Sequence, residues 1–359
     1  MYEGWADNEE DAKKLAASGE IRFEPCHHWD AVGPMGGITT GSMPWLAVEN
    51  RATGNVAYCT INEGIGKVAR FGAYDQSVLD RFVWMEKSLA PILSKALKQI
   101  EGGLNLNVII AKSITMGDEF HQRNHAASLN FLKEMAPIIM AMQDVNDEEK
   151  VKAVQFLADT DQFFLNIMMA AGKAIVDGVR KEVEESTIVT TMARNGYNFG
   201  VRIGQTGDQW FEDRVNDPRG LYFTGFTPED GNPDIGDSAI TETVGVGAMA
   251  MIAAPAVTRF VGAGGFQDAL DISNEMTKIT VDHNPNWTIP TWDFKGSVVG
   301  IDIRKVVETG ITPLINTGIA HKDPGVGQVG AGTVRAPLGC FQDALVAYAK
   351  SKGINVDEE

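Results

Sequence analysis

"PWLAVENRATGNVAYCTINEG" (44–64) is followed closely by "YDQSVLDRFVWMEKSLAPILSKALKQI" (74–100), and the change of texture between them decides the fold class. In the first stretch two runs of strand-forming residues flank "RATG", which suits a hairpin turn. In the second, apolar residues recur at helical spacing, with Asp75 or Ser77 as the cap and "EGG" as the stop. The helical pattern continues through 105–116, 117–142, 147–158 and 161–179. Beyond "KEVEES" (181–186) it becomes mixed. "TIVTTMA", "FGVRIG", "GLYFTGF", "SVVGIDI" and "TPLINTGI" read as strands, while 239–260, 265–280 and the stretch from 338 onward read as helices. The expected class is α+β. Residues 1–73 form an N-terminal α/β portion, 74–183 an inserted helical domain, and 184–359 a C-terminal α+β domain, with a sheet shared between 1–73 and 184–359 left open.

At 359 residues, 44% of them hydrophobic, the chain can bury a sizeable core. A formal charge of −17 argues against nucleic acid, which requires clustered Lys and Arg, but leaves room for a small anion bound by local cations. Cys26, Cys59 and Cys340 are too far apart for a Cys-x-x-Cys metal site and odd in number. The acidic start is no secretory signal, and the apolar run 244–257 is too short for a bilayer and holds Pro255. The expected location is cytoplasmic, with no membrane contact and with a homo-oligomer left open.

"MGDEFHQRNHAAS" (116–128) is the first candidate site. On a helix, Asp118, His121, Gln122 and His125 fall in one stripe that runs on into Leu129 and Leu132, so the polar cluster faces inward, while Arg123 points elsewhere. Three readings stand side by side: two metal ligands at i and i+4, a satisfied polar helix end, and imidazoles placed for proton transfer. Glu119 precedes the first histidine, which is the wrong place for a His-Glu-x-x-His motif, and no metal is expected. "TMARNGYNFGVRIG" (191–204) carries Arg194, Asn195, Asn198 and Arg202 around a turn, either as hairpin chemistry or as guanidiniums holding an anion.

"FTPEDGNPDIGDSAITETVG" (226–245) imitates an EF-hand loop and fails at the turn glycine and at position twelve. Asp237 suits a helix N-cap, and with Glu242 belongs to an acidic loop able to hold a cation or orient a cationic side chain. In "PLINTGIAHKDPGVGQVGAGTVRAP" (313–337), Gly325, Gly327 and Gly330 spell a dinucleotide fingerprint, yet no helix follows directly, so a nicotinamide cofactor is rejected. What remains is a flexible loop of free amides flanked by His321, Lys322 and Arg335, suited to a small anion or to packing alone. "PCHHWD" (25–30) adds His27 and His28, of which one at most faces a site.

Together "YEGWA", "NEGIGKVARFGAY", "MGDEFHQRNHAAS", "MARNG", "NPDIGDSAITETVG" and "KVVETGITPLINTGIAHKDPGVGQVGAG" resemble the AllG/YlbE-like family across nearly the whole chain. The resemblance implies a component of oxamate carbamoyltransferase in purine and allantoin catabolism. It implies partner subunits of FdrA-like and AllH-like type, and interconversion of oxalurate plus phosphate with oxamate plus carbamoyl phosphate. It also implies a further N-terminal α/β domain ahead of "YEGWA", expected to be either absent or outside this sequence. Such a reaction needs cations or amides for phosphate and carboxylate, a donor at the carbamoyl oxygen, and a general base. Arg194, Lys322 and the 325–332 amides suit the first task, with Arg123, Asn195, Asn198, Arg202 and His321 as further anion contacts. His121 or His125 suits the proton transfer, with Asp118 orienting the ring, and no cofactor is needed. The alternatives are a non-catalytic subunit that binds a small carboxylate and organises partners, and a metal-dependent amidohydrolase built on the histidine pair.

Overall fold

The computed structural model describes residues 1–33, 35–64, 66–183 and 185–356. A short helix α1 (Glu9–Ser18), capped by the Asn8 side chain, leads to strands β1 (Ala31–Val32), β2 (Trp45–Asn50) and β3 (Asn55–Thr60). The hairpin read from the sequence is β2–β3, with Trp45 opposite Thr60 and Asn50 opposite Asn55, and β1 adds in parallel to β3. Helices α2 (Gln76–Trp84) and α3 (Ala90–Lys98) run into each other through a wider π-type turn at Met85–Leu89. Asp75 caps the start, its carboxylate accepting from the Ser77 and Val78 N–H groups. Helices α4 (Leu106–Thr115), α5 (His125–Ala141), α6 (Asp147–Asp159) and α7 (Phe163–Glu182) complete the helical block.

Helix α7 is the central strut. It is buried along most of its length and packs on β2 and β3. Small residues permit this: a Cβ at Gly178 would stand 2.7 Å from the Thr53 hydroxyl, and one at Gly172 would stand 3.2 Å from the Ile240 carbonyl oxygen. The apolar core is continuous, reaching from Val32 through Phe131 and Phe163 to Phe341.

Strands β4 (Val189–Asn195), β5 (Asn198–Ile203), β6 (Phe211–Arg214), β7 (Arg219–Tyr222) and β8 (Ile235–Gly236) open the last portion. They are followed by helices α8 (Ile240–Thr243), α9 (Pro255–Phe260) and α10 (Phe266–Met276) and by the hairpin β9 (Thr280–Ile289)–β10 (Lys295–Ile301). Helix α11 (Ile303–Thr309), strands β11 (Leu314–Ala320) and β12 (Gln328–Arg335), and helix α12 (Leu338–Ser351) close the chain. The sheets run β6-β5-β4-β8 and β11-β12-β7, beside the two-stranded β9–β10. The class is α+β, and no helix is long and apolar enough to cross a membrane.

One open point is answered and three expectations are corrected. Among the described residues β1, β2 and β3 pair only with one another, so 1–73 and 184–359 share a core rather than a sheet. The small-residue helix over 239–260 is three short segments, because Gly245 (φ +87°) and Gly247 (φ +64°) break it and Pro255 starts a new turn. Residues 117–124 are a loop, with Gly117 (φ +94°) and Phe120 (φ +73°) in left-handed conformations, so α5 begins only at His125. Residues 328–335 are strand β12 rather than loop. Its glycines admit the neighbouring backbone: a Cβ at Gly330 would lie 2.6 Å from the Leu221 carbonyl oxygen, and one at Gly332 would lie 2.5 Å from that of Arg219.

Candidate functional site

The 117–124 loop is built around its own acids. Buried Glu119 receives the backbone N–H groups of His121 (3.1 Å), Gln122 (2.5 Å) and Arg123 (2.6 Å) on one carboxylate oxygen. Its other oxygen accepts from the Asn316 side-chain amide at 2.9 Å. Burial pushes the Glu119 carboxyl up to about 7, against the pull of these donors. Asp118 accepts from the Ala127 N–H at 2.8 Å, fixing the first turn of α5, and from the Arg123 guanidinium at 3.3 Å. Asp118 and Arg123 therefore hold the loop to the helix, and Asp118 does not orient His121.

Glu242 does that. The Nδ1 of His121 lies 2.8 and 2.9 Å from the two Glu242 oxygens, and both side chains are buried. Glu242 also accepts from the Ala248 N–H (2.9 Å), the Asn316 N–H (3.1 Å) and the Thr241 hydroxyl (2.9 Å). These donors fix the carboxylate, so Nδ1 of His121 carries the proton and Nε2 is the basic nitrogen of the neutral ring. Among the described residues Nε2 makes no hydrogen bond. Gly247 is required here, since a Cβ would fall 2.1 Å from a Glu242 oxygen.

His121 lines a small cleft with Arg70, Gln122, Gln162, Asn166, Ser238 and Gln328, and with Met35, Phe71, Leu165 and Met169 as apolar wall. Arg70 is its cation. It rides on a 3₁₀ turn whose N–H groups at Ala69 and Arg70 are held by the Glu63 carboxylate. One guanidinium nitrogen donates to the Gly64 carbonyl at 2.9 Å, and Nε is buried without a hydrogen-bond partner among the described residues. Burial lowers its pKa, yet an arginine stays charged, so an anion in the cleft would relieve an unmet electrostatic cost.

The other expected residues lie off the cleft. His125 is half-exposed and pairs with Asp161 at 2.9 Å, so the two histidines share neither a helix face nor a ligand. Arg194 is fully buried and engaged: Nε and Nη2 donate to Asp234 at 2.7 and 3.1 Å, and Nη1 donates to the Gly236 carbonyl at 3.0 Å. It stands behind Ser238 and Thr317 as a support and has no free fork for an anion. Arg202 is buried against Asp208 and the His27 carbonyl. Asn195 accepts from the Tyr197 and Asn198 N–H groups, and Asn198 donates to Glu212, which is turn chemistry.

Asp237 is no side-chain cap. Its carboxylate accepts the Gly33 N–H at 2.8 Å. His321 accepts from the Asp323 N–H, Lys322 donates to the Glu229 carbonyl, and neither side chain lines the cleft. In the remaining loop Gly325 donates to the Phe71 carbonyl at 2.7 Å and Gly327 accepts from the His321 N–H at 2.9 Å, which straps the loop beside the Arg70 turn. Among the described residues no group of three or more His, Cys, Asp or Glu side chains is arranged to hold a metal ion. Arg70 and Asn316 were not singled out by the sequence reading, although both stand inside the quoted motifs, and Glu119 was weighed only as a misplaced member of a His-Glu-x-x-His motif.

Comparisons with known proteins identify the family. The family described as "Oxamate carbamoyltransferase subunit AllG" matches residues 21–238. The protein of that name from Escherichia coli (strain K12) is 56% identical over 354 residues, covering 99% of this chain and 84% of the relative. The uncharacterized protein YahG of the same organism is 44% identical, with 99% of this chain and 74% of YahG covered. A crystal structure of a conserved protein of unknown function from Enterococcus faecalis V583 superimposes with a TM-score of 0.95 at 44% identity, covering 99% of this chain and 84% of that one. On these matches the chain belongs to the AllG family.

Proposed function

We propose that this chain is a subunit of an oxamate carbamoyltransferase and that its cleft binds a small anion of that reaction. The observation that carries the reading is one cleft lined by both a glutamate-oriented imidazole, His121, and an incompletely partnered buried guanidinium, Arg70. Arg70 suits the carboxylate of oxamate or oxalurate, or the phosphate, by charge-assisted hydrogen bonds. The amide of Gln122 suits the carbamoyl oxygen, where negative charge develops, while those of Gln162 and Gln328 each donate to a backbone carbonyl and keep a second N–H.

In the synthetic direction the amide nitrogen of oxamate attacks the carbamoyl carbon of carbamoyl phosphate. A C–N bond forms, the C–O bond to phosphate breaks, and phosphate leaves with the electron pair. His121 takes the N–H proton on Nε2, and Glu242 stabilises the imidazolium. The reverse sequence cleaves oxalurate with phosphate. The partners in this reading are FdrA-like and AllH-like subunits, the setting is cytoplasmic purine and allantoin catabolism, and neither a metal nor a cofactor is called for. The test is oxalurate phosphorolysis by the assembled complex. His121→Ala should lower kcat by about 10²–10⁴-fold. Unchanged turnover would replace this reading with that of a subunit that only binds a carboxylate and organises its partners.

A further inference from the structure

Glu119 is a second buried carboxylate beside His121, and proton transfer by the imidazole does not by itself account for it. We propose that Glu119 and Asn316 form a protonation-sensitive positioning device that sets His121 for its role, a proposal that rests on the reading of His121 as the base. Three features carry it. One Glu119 oxygen gathers the N–H groups of residues 121–123, and the Glu119 carbonyl accepts the Gly247 N–H at 2.5 Å. Asn316 then bridges the two acids, donating its backbone N–H to Glu242 and its side-chain N–H to Glu119. Finally, the Asn316 side-chain oxygen is buried with no hydrogen-bond partner among the described residues.

That unsatisfied oxygen makes the amide a reader of charge. When Glu119 is ionised, the Asn316 amide donates to it. When Glu119 carries a proton, the same carboxyl oxygen becomes a donor, and rotating the amide by 180° turns the unsatisfied oxygen toward it. The rotation leaves the Asn316 backbone N–H on Glu242, so the change reaches His121 through the N–H groups of residues 121–123 that the Glu119 carboxylate gathers. The charged and titratable groups around Glu119 are His121 on its own loop, Asp118 paired with Arg123 on the same loop, and Glu242 from α8. Strand β11 contributes only the uncharged Asn316. The Glu119 carboxyl is pushed up to about 7, so its proton exchanges in the physiological range.

The experiment is the pH profile of kcat/KM for oxalurate phosphorolysis by the assembled complex, with His121 followed by ¹³C NMR in this chain. Wild type should lose activity over two protonations on the acid side, that of His121 and that of Glu119. Glu119→Gln should lose it over one, with kcat about tenfold lower at alkaline pH. Should that variant fail to fold, Asn316→Ala serves: loss of a donor to the ionised carboxylate should move the Glu119 inflection upward. The ring signal of His121 should carry the same inflection in wild type and lose it in Glu119→Gln. Two protonations retained in Glu119→Gln, or an inflection unmoved in Asn316→Ala, would overturn the proposal. If His121→Ala keeps full activity, the underlying reading falls instead, and the NMR inflection still decides whether Glu119 titrates against His121.

Discussion

Asp234 and Glu242 come from one short acidic segment, yet the centres they build differ in kind. Asp234 closes on Arg194, whose remaining donors meet Gly236, Ser238 and Thr317, all of it buried. Glu242 holds only one nitrogen of His121, and the ring lines the cleft. A guanidinium presents five donors in a fixed fork, so β8, its flanking residues and β11 can engage Arg194 from several sides. An imidazole has two nitrogens, and orienting one leaves the other for chemistry. The difference teaches that a buried ion pair marks a site only when one partner keeps an open valence toward a cavity.

The contrast can be broken most sharply at Arg194. Arg194→Ala leaves Asp234 buried without its cation and should destabilise the chain by about 3–5 kcal/mol in urea unfolding. A small loss with a large effect on turnover would instead make Arg194 a member of the site. Next in size is Arg70→Lys, which keeps the charge and loses the fork. KM for the anionic substrate should rise about tenfold, roughly 1.4 kcal/mol, with stability nearly unchanged. His125→Ala should be smaller still, because its exposed pair with Asp161 contributes about 0–1 kcal/mol, and turnover of the assembled complex should stay within about twofold of wild type.

A pH effect on stability sharpens the same comparison. The Glu119 carboxyl is raised to about 7 from an ordinary 4.5, so the folded chain keeps a proton that the unfolded chain has already released. Its stabilising contribution is full below pH 4.5 and is lost as pH rises to about 7. The slope of unfolding free energy against pH should flatten over that window in Glu119→Gln.

Much of the fold was legible in the sequence because it follows local rules. Alternation and "RATG" gave β2–β3, the turn "RNGY" joined β4 to β5, and capping at Asp75 opened the helical block. What escaped depended on distant partners. Strand β12 read as loop because its glycines answer to the backbone of β7, about a hundred residues away in sequence. The stripe uniting His121 with His125 assumed a helix that Gly117 and Phe120 break, and Phe120 accepts its left-handed backbone because its ring is wholly buried beside Phe164. Of the site itself, His121 and Glu242 were both singled out, but nothing local joins residues so far apart. Arg70 sits on a three-residue turn with no periodicity to mark it.

The most direct test of the central claim is a thermal-shift titration of this chain with oxamate, oxalurate, carbamoyl phosphate and phosphate, on wild type and Arg70→Ala. The account predicts that at least one of these anions stabilises wild type in proportion to its saturation, by about 2.7 kcal/mol at a hundredfold excess over Kd, and that Arg70→Ala loses most of the shift. No shift with any of the four anions, or an equal shift in Arg70→Ala, would contradict it.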